Sequence, residues 1–112
     1  SAVIQHVNTR VGEGALVQAG HAFDKDVPPY IIAGGYPIGY KGVNSLMCKT
    51  YGISEKAIKH IANAYRLVFH GQTSLFDAIL QIKDQVPDSL EIQNVINFLS
   101  ESKLGVVGKT VF

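Results

Sequence analysis

The sequence lacks most of what marks the common functional classes. Cysteine occurs once, at Cys48, and tryptophan is absent. One cysteine permits no internal disulfide and gives no argument for secretion, so the cytoplasm is the expected compartment. No His or Asn pattern around Cys48 points to a nucleophile, and it reads as a small structural thiol. His6, His21, His60 and His70 are nowhere spaced one helical turn apart as metal-binding pairs are, so no metal site is expected. No apolar run reaches the ~20 residues of a membrane span, and residues 1–20 lack a signal-peptide layout. Ten Lys and Arg against nine Asp and Glu leave a net charge of +1, too little for a nucleic-acid footprint.

What is present is enough for one ordered unit. Apolar residues make up 46% of the 112 positions and charged ones 17%, a composition that excludes disorder. Val11, Val17 and Phe23 recur six apart, with Gly12, Gly14 and Gly20 between them. Six is neither the helical nor the strand period. It is the repeat of a left-handed parallel β-helix, in which each hexapeptide forms one side of a triangular coil. Gln5 breaks the phase one step earlier, and an ordinary β-meander with glycine turns is the alternative. Residues 1–26 make fewer than two eighteen-residue coils, and Ser1 falls in mid-pattern without an initiator Met. Stacked repeats bury their cores only several deep, so further coils are expected upstream.

Residues 26–44 form the joint between two architectures. Pro28 and Pro29 cannot donate to a sheet ladder, and Gly34, Gly35, Gly39 and Gly42 invite turns. Regular structure is expected to stop here. The chain thus divides into terminal coils and joint at 1–43 and a C-terminal helical domain with an extended tail at 44–112.

Beyond the joint, apolar residues recur at helical spacing. Asn44 caps a short turn ending at Gly52, and Ser54 caps a helix over about 55–70. Ile58, Ile61, Tyr65 and Val68 share its inner face, flanked by Ala57 and Ala64, while Lys56, Lys59, Asn63, Arg66 and His70 form a basic outer face. Ser74 caps a helix of about 75–86 with Leu75, Ile79, Ile82 and Val86 as its stripe and Asp77 as capping-box partner; Pro87 ends it. A helix of about 89–102 follows Asp88 and buries Ile92, Val95, Ile96 and Leu99. Together they predict a small helical bundle. Residues 105–112 carry no helix signal and are expected to lie extended along another surface. Charge is split as well. Residues 41–70 are basic and 71–102 acidic, which fits either a plain polar outer face or an acidic partner steered to the first half.

The order of parts closely resembles a known family. Hexapeptide coils, Asp26-Val27-Pro28-Pro29-Tyr30-Ile31-Ile32-Ala33, a glycine-rich loop to Gly42-Val43-Asn44 and a helix bearing Ala62-Asn63-Ala64-Tyr65-Arg66-Leu67 are similar to the C-terminal part of the UDP-N-acetylglucosamine O-acyltransferases of lipid A biosynthesis. The resemblance covers essentially the whole chain. It implies a cytoplasmic homotrimer, without cofactor, that moves a 3-hydroxyacyl chain from acyl carrier protein to the 3-hydroxyl of UDP-N-acetylglucosamine. The family's general base is a histidine on an upstream coil, so no catalytic residue is expected in this chain.

The resemblance also assigns roles. His6 matches a histidine lining the cleft between subunits; read from the residues alone, it is either an exposed rung or a group facing a neighbour. Asn44 falls where the family contacts the nucleotide, a role that must share the amide with the helix cap. Lys49 matches a basic position, whereas Thr50 and Tyr51 stand where arginines are common, leaving phosphate recognition to Lys49 or Lys41. Ala19 matches the acyl-length ruler and implies a long-chain preference. Lys56, Lys59 and Arg66 would dock the acidic carrier protein. Two other readings stay open: a stand-alone assembly module without chemistry, and another hexapeptide acyltransferase.

Overall fold

A chain that advances in sixes stacks its coils only if it returns to the same side after about eighteen residues. In the computed structural model it does so. The structure describes residues 4–5, 11–17, 22–23, 26–34, 39–71, 73–102 and 106. Strand β1 (Ile4–Gln5) pairs in parallel with β3 (Ala22–Phe23), Ile4 standing opposite Ala22. The next return is two residues shorter. Val11 bridges Val27 in parallel, and β2 (Leu16–Val17) pairs with β4 (Ile31–Gly34), Leu16 opposite Ile32. Parallel pairing of two-residue strands at such intervals belongs to a coil and rules out the β-meander, whose neighbours run antiparallel. Val17 packs against the core as expected. Val11 does not: it is 42% exposed, although it bridges Val27.

The joint departs from expectation. Regular structure does not stop there, for β4 turns back into β5 (Gly39–Val43), and the two run antiparallel with Ile31 opposite Val43. Pro28 and Pro29 precede the ladder and so do not interrupt it. The register shifts between Ile32 and Ala33, and Gly42, at φ 136°, takes a backbone angle that a side chain would resist. Ile31 and Ala33 are fully buried, so their amides need partners, and the hairpin and β2 provide them.

The helices follow their local signals. After α1 (Ser45–Thr50), Ser54 caps α2 (Glu55–Phe69), Ser74 caps α3 (Leu75–Gln85) and Ser89 caps α4 (Leu90–Glu101). Each of these serine hydroxyls accepts a backbone N–H at 3.1 Å, from Ala57, Asp77 and Ile92 respectively. Asp88, just before the last cap, instead accepts the Gln93 amide at 2.7 Å. The predicted stripes are buried: Ile61, Tyr65 and Val68 on α2, Leu75, Ile79 and Ile82 on α3, Ile92, Val95, Ile96 and Leu99 on α4. Ile58 packs against them from the margin. Helices α2, α3 and α4 touch one another, and α2 also lies on β5, where Tyr40 stacks on Phe69 at 4.4 Å and 6°.

Val27, Tyr30, Ile31 and Ala33 belong to this same core, so coil end and helices share one interior. The last described residue, Val106, is fully buried and bridges Asp26 in parallel. Nearby, the Ser102 hydroxyl donates to the buried Asp26 carboxylate at 2.7 Å.

Two tests follow from this packing. A Cβ on Gly12 would collide with the Pro29 backbone, whereas one on Gly39 meets nothing within 4 Å. Gly12→Ala is therefore expected to cost about 1–3 kcal/mol by overpacking, read as a lower thermal midpoint, with Gly39→Ala close to neutral. Tyr65 is fully buried and donates to Pro29 O at 2.7 Å. Burial holds its phenol well above the ordinary 10.0, with neighbouring Tyr30, Tyr40 and Cys48 adding to the effect. Above pH 10 unfolded tyrosine ionises while Tyr65 keeps its proton, so its stabilisation, complete below pH 10, is lost as pH rises. Tyr65→Phe should cost about 1–3 kcal/mol at pH 8 through the orphaned carbonyl, and the gap from the parent should narrow at pH 11 in denaturant titrations.

Candidate functional site

The site is built on the coil corner at residues 12–14, where the joint and α1 meet it. Gly12 N–H donates to Val27 O at 2.7 Å, and Tyr30 N–H donates to Glu13 O at 2.8 Å. Tyr30 itself sits at φ 68°, unusual for a residue with a side chain. Its carbonyl accepts the Asn44 N–H at 2.6 Å, and its hydroxyl accepts the Asn94 amide at 3.0 Å. Desolvation is the main reason the Tyr30 phenol is pushed above its ordinary value; the Asn94 hydrogen bond opposes it. Every polar group of Tyr30 thus has a partner.

Asn44 is 8% exposed and ties two elements together. Its Oδ1 accepts the Met47 N–H at 3.4 Å, a long capping bond, and its Nδ2 donates to Gly14 O at 3.1 Å. The cap read from the sequence is present, and the amide divides its bonds between α1 and the coil. At the other end of α1, Tyr51 leans on the same corner. A Cβ on Gly14 would stand 3.3 Å from the Tyr51 ring and 3.3 Å from that of Tyr30, and Gly14 has φ 69°. Between these ends Cys48 is buried, and desolvation, with Glu91 adding to it, pushes its thiol up. That suits a structural thiol and opposes a nucleophile.

Outward charge lies mainly on α2; α1 contributes Lys49 beside the exposed apolar Leu46 and Met47. Lys49 lies 3.9 Å from Glu55 with both side chains exposed, a pair that holds neither firmly. The Thr50 hydroxyl donates back to Leu46 O at 3.0 Å. Lys56, Lys59 and Arg66 are exposed along one side of α2, and no ion pair among the described residues engages them. The backbone fixes the two helices to each other, with Gly52 N–H donating to Lys49 O and Ile53 N–H to Cys48 O, both at 3.0 Å. The structure therefore gathers Asn44 and Lys49 on one segment, next to the basic side of α2. His6 and Ala19 lie outside the described residues. No three His, Cys, Asp or Glu side chains converge to hold a metal among the described residues.

Tyr30 and Asn94 escaped the sequence reading. Tyr30 follows two prolines and looked like a loop residue, while Asn94 lies off the predicted stripe of α4 with a half-buried side chain. A polar residue of low helical propensity at the edge of an apolar face was the available signal.

These features define the end of a hexapeptide β-helix closed by a hairpin and helices. The chain belongs to the UDP N-acetylglucosamine O-acyltransferase family, whose second-domain model matches residues 26–107. It is 28% identical over 101 residues to the acyl-(acyl-carrier-protein)--UDP-N-acetylglucosamine O-acyltransferase of Myxococcus xanthus, covering 90% of the chain and 39% of the relative. With the same enzyme of Psychromonas ingrahamii it shares 36% identity over 84 residues, 75% of the chain and 32% of the relative. Among solved structures, the UDP-N-acetylglucosamine acyltransferase of Bacteroides fragilis superposes at TM-score 0.91 with 38% identity, covering 94% of the chain and 41% of that protein. That of Acinetobacter baumannii superposes at 0.88 with 29% identity, again over 94% and 41%. The likeness gives the coils the hand of the left-handed β-helix. The chain spans about two fifths of the length of the curated relatives it matches.

Asn44→Asp separates the two duties of that side chain. Aspartate caps helices as well as asparagine does, but it cannot donate to Gly14 O. The variant is expected to lose about 1–3 kcal/mol, the cost of facing one acceptor with another, as a lower urea midpoint. A midpoint equal to the parent's would mean that the Gly14 bond contributes nothing.

Proposed function

We propose that this chain forms the C-terminal portion of an O-acyltransferase that moves a 3-hydroxyacyl chain from acyl carrier protein to the 3-hydroxyl of UDP-N-acetylglucosamine, the first step of lipid A biosynthesis. The observation that carries the reading is the superposition on a UDP-N-acetylglucosamine acyltransferase over 94% of the chain. In this reading residues 1–43 end the β-helix and residues 44–112 are the C-terminal domain, with α2, α3 and α4 as its small helical bundle. The protein works as a cytoplasmic homotrimer and uses no cofactor, metal or nucleic acid. No helix among the described residues is long and apolar enough to cross a membrane.

The roles divide by surface. Asn44 and Lys49 face the nucleotide: Asn44 keeps a second amide N–H beyond the one given to Gly14, and Lys49 offers a cation to the diphosphate. His6 lines the substrate cleft, and Ala19 leaves the acyl groove long. Lys56, Lys59 and Arg66, exposed and outside any ion pair among the described residues, dock the acidic carrier. The general base lies on an earlier coil, so residues 1–112 alone do not catalyse.

The full-length gene product is expected to form acylated UDP-N-acetylglucosamine from 3-hydroxyacyl carrier protein, detected by mass, while residues 1–112 form none. Its failure to transfer any acyl chain to this acceptor would refute the reading. Reversing Lys56 and Lys59 to Glu should weaken carrier binding about tenfold at low salt, with the difference shrinking as added salt screens the charges. Equal binding at low salt would remove α2 from the docking surface.

A further inference from the structure

One cation in the acidic stretch 71–102 stands apart from the acids around it. Lys83 is the only base there, and the positions three and four before and after it are Ile79, Leu80, Val86 and Pro87, so its own segment offers no ion pair. None engages it among the described residues. Lys83 instead lines a cavity of about 300 Å³ between α3 and the end of α4, a volume at the lower limit of small-molecule sites. Buried Leu75, Ile79 and Leu99 and exposed Phe76 and Leu80 give this groove an apolar wall. None of the described residues lining it is a carboxylate. Exposed Asp77, Asp84 and Glu101 adjoin the lining residues in the chain. A protein broad enough to cover the groove would meet them, an acidic one being repelled by these carboxylates and a basic one by Lys83. A small ligand with an apolar body and one negative charge meets neither obstacle.

We propose that this groove binds a medium-chain fatty acid, with the hydrocarbon chain against Leu75, Ile79 and Leu99 and the carboxylate met by Lys83. From Phe76 to Lys83 the groove follows α3 for about 10 Å, so chain and head group lie end to end along the helix. A lysine suits the charged end, since its stem is apolar and only its tip is ionic. Ser100, exposed on α4, adds a hydroxyl to the lining, whereas that of Ser102 is already given to Asp26. The proposal does not rest on the acyltransferase reading, and the groove shares no residue with those assigned above to nucleotide, acyl chain or carrier.

The test is calorimetric titration of the full-length gene product with decanoate, octanoate and decanol. Decanoate is expected to bind, octanoate about tenfold more weakly for the two methylenes lost, and decanol about tenfold more weakly for the lost charge. Lys83→Met keeps the apolar stem and is expected to weaken decanoate binding about tenfold, with decanol binding within about twofold of the parent's. Leu80→Glu puts a carboxylate into the groove wall and should weaken decanoate binding about tenfold or more. If Leu80→Glu fails to fold, Lys83→Met decides alone. A parent that does not bind decanoate overturns the inference. Equal decanoate binding by the parent and Lys83→Met overturns it by placing the acid elsewhere, and equal binding of decanoate and decanol by the parent overturns it by removing charge from recognition. Binding that appears only after residues 107–112 are deleted also overturns it, because the groove then belongs to the chain's own end.

Discussion

The structure depends on Tyr30 being held in a left-handed backbone conformation. At φ 68° a tyrosine is strained by about 1–2 kcal/mol, yet this angle turns the chain from the last coil into the hairpin. The strain is offset by bonds at every polar group: N–H to Glu13 O, C=O from Asn44 and hydroxyl from Asn94. At about 1 kcal/mol each, three such bonds exceed the strain. They also come from three different parts of the chain, so the coil corner, α1 and α4 are fixed by one residue. Tyr65 adds a fourth tie from α2 to the neighbouring Pro29 carbonyl. A β-helix presents an open end whose backbone groups need partners. The hairpin and this hydrogen-bonded hub provide them.

What the sequence revealed and what it hid divide along the range of the interactions. Two helix starts were legible because Ser54 and Ser74 act within three residues, each accepting a backbone N–H from the first turn; the last helix was placed straight after Asp88, whereas Ser89 is its cap. The buried stripes were legible because helical periodicity is local. The β4–β5 hairpin was not. Its glycines and the prolines before it look like breakers, and only the distant partner, Leu16 opposite Ile32, makes a strand of Ile31–Gly34. The role of Asn94 was hidden for the same reason, its partner Tyr30 lying 64 residues away. Of the site residues, Asn44 was found as a cap, but its bond to Gly14 required the fold. His6 and Ala19 lie outside the described residues, so their roles rest on the family resemblance alone.

The same corner explains how a helix as short as α1 holds its place. Six residues are too few to be helical by themselves, so α1 exists by virtue of its attachments. Asn44 fastens its start to Gly14 O, Cys48 anchors its middle in the core, and Tyr51 at its end leans on Gly14 again. One glycine without a side chain thus receives both ends of the helix, and a bulkier residue there would push Tyr51 and Tyr30 apart. The backbone bonds from Gly52 and Ile53 then carry this fixed orientation into α2. The backbone segments that carry Lys49 and, further on, Lys56, Lys59 and Arg66 are therefore joined at a fixed angle. For the residues proposed above to meet nucleotide and carrier, the backbone is thus ordered during folding, and only their exposed side chains are left to be ordered on binding.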